Sequence, residues 1–260
     1  MYLIEYITDS CNAGLSHSTI VSRISAVSYI HKMAGAEDPS QPFVIQKMLT
    51  GFRKLTKRSD VRLPITKEIL TDLMGALLHT SESIYIRCMM RAMFSLAFFG
   101  LLRVGEITVT DSQASINVLH LNNIVFDPPL PHSRTILLTM HHYKHSGPTP
   151  TTLQIGLQPG DTCPVAALAA YISYRGNSPG PLFIFPNTQP VSRQYFTDQL
   201  NLALRWCKLD TNYYKGHSFR IGAATTAARL GASDAQIEAM GRWSSKAYKR
   251  YIRIPTITSF

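Results

Sequence analysis

Between Ile86 and Leu102 the chain reads IRCMMRAMFSLAFFGLL, which is apolar on nearly every side of a helical projection. A helix without a polar face has to be covered all round, so other elements must wrap it. It is too short to cross a bilayer, which takes ~20 predominantly apolar residues, and Arg87 and Arg91 interrupt it. This segment is therefore expected as the buried central helix of a globular unit, running to about residue 102.

The flanking sequence supplies the cover. Residues 16–33 place Ile20, Ile24, Val27 and Ile30 at helical spacing, with Val21 and Tyr29 beside them. Ser16 or Ser18 suits the N-cap and Gly35 the stop. Residues 41–55 repeat the pattern, with Val44, Ile45, Met48 and Leu49 facing inward. The basic, polar stretch Arg53–Arg62 runs up to Pro64 and reads as a linker. Thr66 caps the next helix, TKEILTDLMGALLHT. The middle of the chain then changes character. HLNNIVFD, RTILLTMHHY and TTLQIGL are short β-branched runs broken by Pro, Ser and Gly, which predicts a small antiparallel sheet. Helices return after Pro164 and over Ser192–Lys208. The segment from His217 to Leu230 stops at Gly231, and Ser233 with Gln236 forms a capping box. Gly241 ends that helix, and Ser244 or Ser245 caps a last one carrying Tyr248 and Tyr251.

The fold class expected is mostly α with a small antiparallel β-sheet (α+β). The division expected is a helical domain over 1–62, ending in the basic linker, and a larger domain over 63–260. The start of the chain gives the expectation that the first domain is truncated. The segment IRIPTITSF after Tyr251 contains Pro255, which discourages a long final helix.

The formal net charge is +10, and its distribution is uneven. Residues 1–62 carry eight Lys/Arg against five Asp/Glu, and residues 63–204 carry eight of each. From Arg205 to Arg253 ten basic residues face only Asp210, Asp234 and Glu238. A concentrated basic field suits a polyanion, nucleic acid being the commonest, or a basic surface kept for solubility. Cys11, Cys88, Cys163 and Cys207 form no CxxC pair, and no Cys/His spacing suits zinc. They read as reduced, mostly buried thiols of an intracellular protein. MYLIEYITDS lacks the basic and apolar regions of a secretory signal.

Four segments carry residues suited to phosphodiester chemistry. Metal-free cleavage needs fixed cations on the non-bridging oxygens, a nucleophile, and an acid for the leaving oxygen. In GLLRVGE, Arg103 follows the buried helix and Glu106 can hold its guanidinium rigid; a structural ion pair is the ordinary alternative. In GHSFR, His217 and Arg220 share a helical face. Lys144, in HHYKHSG between two strand-like runs, suits either a general acid or a backbone contact, or is a solvated loop lysine. In GRW, Trp243 offers an indole N–H donor. Tyr251 follows eight positions later among Lys249, Arg250 and Arg253, a setting that favours a phenolate.

In this order Arg103, Lys144, His217 with Arg220, Trp243 and Tyr251 resemble the signature of the tyrosine recombinase (phage-integrase) family. FFGLLRVGEI resembles its first arginine box. GHSFRIGAATTAARLGASDAQIEAMGRWSSKAYKRYIR resembles the stretch from its second box to the nucleophile. STIVSRISAVSYIHKMAG and RLPITKEIL resemble the core-binding domain and linker of eukaryotic DIRS- and Crypton-type mobile-element recombinases. Trp243 stands where a histidine is more usual.

The resemblance implies a catalytic recombinase domain behind a DNA-binding helical one. It implies that Arg103, His217, Arg220 and Trp243 hold and activate the scissile phosphate. Lys144 would protonate the leaving 5′-oxygen, and Tyr251 would form a 3′-phosphotyrosine. No metal or nucleotide cofactor is implied. The implied partners are double-stranded DNA and further copies of the chain, as a dimer or tetramer on DNA, with no membrane and a nuclear setting. Tyr248, five positions after Trp243, misses the family's interval and is assigned to packing. The competing expectations are an inactive DNA-binding descendant and a basic helical scaffold for protein or RNA.

Overall fold

The computed structural model describes residues 2–56, 60–110, 118–143 and 147–253. Its contacts divide the chain into two compact units, Met1–Asp60 and Val61–Phe260.

Among the described residues the first unit has three helices: α1 (Tyr2–Asn12), α2 (His17–Met33) and α3 (Phe43–Leu55). Their common core is Ile7, Ile20, Ile24 and Ile45, flanked by Leu3, Tyr6, Leu15, Met48, Leu49 and Phe52. Ser16 caps α2, its hydroxyl accepting from the Thr19 N–H. The inward face expected on these helices is only half covered. Val27, Tyr29 and Ile30 of α2 and Val44 of α3 are exposed. Spacing sets which residues share a face, but whether anything covers the far turns is a tertiary matter. Helix α1 was not expected. Its signal is the spacing of Leu3, Tyr6 and Ile7, which the core confirms. The expected linker also begins later, because Arg53 and Lys54 occupy the last turn of α3. Cations are favourable there, beside the negative end of the helix dipole.

The second unit is built around α5 (Ile84–Phe99), the expected central helix. Met89, Met90, Ala92, Met93, Phe94, Leu96 and Ala97 are all fully buried. It packs against α4 (Lys67–Thr80), α7 (Pro164–Arg175) and α9 (Gly216–Arg229), and α8 (Arg193–Trp206) packs on α4. It ends at Phe99, three residues earlier than expected, because Gly100 and Leu101 turn the chain. A four-residue helix, α6 (Val104–Ile107), follows.

Three antiparallel strands in order β1 (Ile124–Asp127), β2 (Thr135–Met140) and β3 (Thr151–Gly156) make the expected sheet. Ile136, Leu138 and Met140 alternate inward along β2, and Ile136 pairs with Ile155 across it. The C-terminal part comprises α9, α10 (Asp234–Gly241) and a 3-10 turn over Lys246–Arg250. Tyr251 caps that turn rather than riding on a helix. The chain is thus mostly helical with one small antiparallel sheet. No described helix is long and apolar enough to cross a membrane. All four cysteines are free thiols, but only Cys163 is buried; Cys11, Cys88 and Cys207 are half-buried.

Candidate active site

The site begins where α5 ends. Leu101 takes a left-handed conformation (φ 46°), and the Gly100 and Leu101 carbonyls lie just past the last helical residue, Phe99. Two guanidiniums collect on them. Arg220 donates from Nη1 to the Leu101 carbonyl, and from Nη2 to that of Gly241 at 3.0 Å. Arg242 donates to the Gly100 and Leu101 carbonyls, each at 3.3 Å. The negative end of a buried helix therefore offsets part of two buried cations.

The third arginine stands on α6. Arg103 caps that helix, and Glu106 Oε2 accepts from the Arg103 backbone N–H at 2.8 Å. The same carboxylate holds the Arg103 guanidinium through Oε1 at 2.8 Å and Arg242 through Oε2 at 2.9 Å. The rigid Arg103–Glu106 pair expected from the sequence is present. Two guanidiniums thus share one carboxylate, with that of Arg220 beside them, a net formal charge of +2 (three minus one) for the four groups in a largely buried cluster. Arg220 is 1% exposed and, among the described residues, is paired with no carboxylate. Its Nε is buried with no hydrogen-bond partner. Burial, then the charges of Arg103 and Arg242, hold its pKa below the ordinary arginine value. A cation so placed is costly unless an anion completes it.

Two glycines allow the close approach. A Cβ on Gly216, at the start of α9, would come within 2.3 Å of Val104 Cγ2 on α6. Its absence brings His217 to the Arg103 side of the cluster. A Cβ on Gly241 would fall 1.7 Å from a Trp243 ring carbon. The Trp243 ring therefore lies against Gly241, with the Arg220 Cζ 4.5 Å from the ring centre. The expected stop at Gly241 holds, but the left-handed residue is the next one, Arg242 (φ 53°).

Tyr251 completes the group. Its ring centre lies 5.1 Å from that of Trp243, 6.5 Å from that of His217, and 5.5 Å from Arg220 Cζ. Its carbonyl accepts from the hydroxyl of Thr225, a buried residue of α9, at 3.1 Å. The Arg253 N–H donates to that same hydroxyl oxygen at 3.0 Å. Thr225 thus ties the tyrosine turn to the helix that carries His217 and Arg220. His217 is held below the ordinary histidine pKa, first by burial and then by Arg62, Arg220, Arg193 and Arg103. These influences favour its neutral form.

Tyr248 is differently placed. It is 1% exposed and lies in the core. Burial, and then its hydrogen bond to the Asp234 carboxylate, push its pKa up to about 12. A buried phenol donating to a carboxylate is tied down on both counts.

Of the residues singled out from the sequence, Arg103, His217, Arg220, Trp243 and Tyr251 come together. Lys144 lies outside the described residues. Sequence reading missed Arg242 and Thr225. Thr225 sits among small residues of α9 and gives no signal. Arg242 stands between Gly241 and Trp243 and could have been suspected from its place, though not its inward direction.

No family model and no curated relative matches the chain. Solved structures do. The chain is similar to the Tn1549 transposon integrase in complex with circular intermediate DNA (TM-score 0.60, 14% identity, 97% of this chain and 80% of that one). It is similar to the XerH site-specific recombinase in a post-cleavage complex on a palindromic difH substrate (TM-score 0.67, 14% identity, 96% and 67%). It is also similar to a lambda integrase dimer bound to a COC′ core site (TM-score 0.60, 14% identity, 96% and 63%). At these identities the likeness defines the fold, which is that of the tyrosine recombinases with its mostly helical catalytic domain and small antiparallel sheet.

Proposed function

We propose that this chain cleaves and rejoins DNA strands by way of a 3′-phosphotyrosine link. The observation that carries the reading is the arginine cluster: a buried Arg220 that has no carboxylate partner among the described residues, in a cluster of net charge +2, beside the Tyr251 ring. A phosphodiester carries one negative charge and two non-bridging oxygens, and planar guanidiniums match it. Negative charge grows on those oxygens as phosphorus becomes five-coordinate, and fixed cations stabilise that state more than the ground state.

The chemistry balances without an external oxidant or energy source. Tyr251 Oη forms a bond to phosphorus as the bond to the 5′-oxygen breaks. The phenolic proton passes to a neighbouring base, for which neutral His217 is suited. The leaving 5′-oxygen takes a proton from an acid, the role assigned to Lys144. Attack by another strand's 5′-hydroxyl on the phosphotyrosine reverses these steps. The phosphoester energy is conserved in the covalent link, so neither metal nor nucleotide cofactor is required. Site-specific recombination or integration of a mobile element, self-association on duplex DNA and a nuclear setting belong to the same reading. So does DNA binding by the helical unit over 1–60.

The test is incubation of the chain with a pool of nicked duplexes in the presence of EDTA. The expected result is a denaturant-resistant protein–DNA adduct that is absent with Tyr251→Phe and retained with Tyr248→Phe. Salt-sensitive DNA binding with no adduct would make the chain a binding-only descendant. Absence of DNA binding would overturn both readings.

A further inference from the structure

Arg242 is the least expected member of the cluster. It occupies the position just after a helix, in the left-handed conformation where glycine is the usual residue. A side chain is strained there, yet here it is long, charged and 7% exposed. The left-handed turn is what aims it inward. Its guanidinium meets Glu106 Oε2 at 2.9 Å and the two carbonyls at the end of α5, with the Tyr143 ring centre 5.7 Å from Cζ. Only the other oxygen of Glu106 is left for the Arg103 guanidinium.

We infer that Arg242 is a positioning residue, which fixes the Glu106 carboxylate so that Arg103 is held toward the phosphate-binding face of the cluster. The inference rests on the phosphodiester reading above for its purpose, but the geometry stands without it. Arg103 is the more open of the two cations, its side chain 22% exposed against 2% for Arg242. The open one can reach a ligand, and the closed one is spent on the carboxylate. Without Arg242, Oε2 would keep only the Arg103 backbone N–H. Glu106 would be free to rotate about its outer torsion and to meet Arg103 in several ways.

The variant Arg242→Gly suits the backbone, since glycine adopts the left-handed conformation freely. Two measurements on the full chain test the inference. The first reads guanidinium 15N–1H resonances without any ligand. The Arg103 signal is expected to move and broaden in Arg242→Gly. The signal of Arg175, whose Nε donates to the Leu182 carbonyl at 2.8 Å elsewhere in the unit, is expected to stay put. Arg242→Lys, which can still reach the carboxylate, is expected to restore part of the Arg103 signal.

The second measurement is binding of dimethyl phosphate, the smallest phosphodiester. Affinity is expected to fall by about tenfold in Arg242→Gly, and not to fall further when the change is made in an Arg103→Ala background. An unmoved Arg103 signal in Arg242→Gly overturns the inference, as does joint movement of the Arg103 and Arg175 signals. Equal losses in both backgrounds overturn it too, since Arg242 would then touch the ligand itself. If the Arg103 signal moves as expected but the wild-type chain binds no dimethyl phosphate, the phosphodiester reading fails and the positioning of Arg103 stands.

Discussion

The Arg220 guanidinium sits 4.5 Å from the centre of the Trp243 ring, and that ring rests on Gly241 because no Cβ stands in its way. Trp243 therefore walls the buried cation on one face. Its contribution here is this wall, a role a histidine could fill only in part. Trp243→Phe is expected to keep DNA binding and adduct formation within a few-fold of wild type. Gly241→Ala is expected to act more severely, because the added methyl group displaces the ring from Arg220. Adduct yield and near-ultraviolet circular dichroism of the aromatic cluster measure the two effects together.

Glu106 is the cluster's one carboxylate among the described residues and is 3% exposed. Replacing it by Gln leaves three guanidiniums mutually repelling in a buried site. Removing one partner of such a network costs on the order of 3–5 kcal/mol. For a unit of this size each kcal/mol is ~2–4 °C in Tm. Thermal unfolding of Glu106→Gln should show a drop of roughly 6 °C or more. Inorganic phosphate should recover part of it by filling the anion site. No drop would mean that the carboxylate does not hold the cluster together.

The depressed pKa of His217 gives the pH dependence a definite sign. Between its folded value and the unfolded value of ~6.5, the unfolded chain binds a proton that the folded chain does not. Stability therefore falls as pH drops from 6.5 through that window and levels off below it. Above pH 7 His217 contributes no slope. Tm measured from pH 8 to pH 5 should decline more steeply in wild type than in His217→Gln. A phosphodiester in the site would favour the charged imidazole, so its binding should tighten over the same fall in pH. Identical profiles for the two proteins would remove His217 as the titrating group.

Thr225 predicts a defect in positioning rather than in chemistry. Its hydroxyl donates to the Tyr251 carbonyl and accepts from the Arg253 N–H. Thr225→Val keeps the shape and removes both bonds. Adduct formation should slow by about tenfold, with DNA affinity changed little, since no phosphate contact is lost. Thr225→Ser should restore most of the rate. An equal loss in both variants would point to packing instead.

Much of this was legible in the chain itself. The all-round apolar run Ile86–Leu102 demanded a covered central helix, and the short β-branched runs between Pro, Ser and Gly pointed to a sheet. The capping residues Ser16, Thr66 and Ser233 start helices where hydroxyl groups can satisfy free N–H groups. The order Arg103, His217, Arg220, Trp243, Tyr251 marked residues that the fold does gather. Caps and periodicity were legible because each depends on neighbours within a few positions, whereas the ordered set of site residues was marked by its resemblance to the recombinase signature.

What the sequence left open depends on approach between distant segments. Spacing could not show that the outer turns of α2 remain bare at Val27 and Ile30, because cover is supplied by other elements. Interval alone favoured Tyr251 over Tyr248. The fold gives the physical difference, placing one ring against Arg220 and burying the other with its hydroxyl on Asp234. Arg242 makes the point most fully. Its partner Glu106 is 136 positions away, and only the left-handed turn after Gly241 brings the two together. The sequence determined which charges this protein carries; tertiary structure decided which are neutralised within the fold and which are left for an anion. Burial and pairing set the energy of a charge, and both are made by residues far apart in the chain.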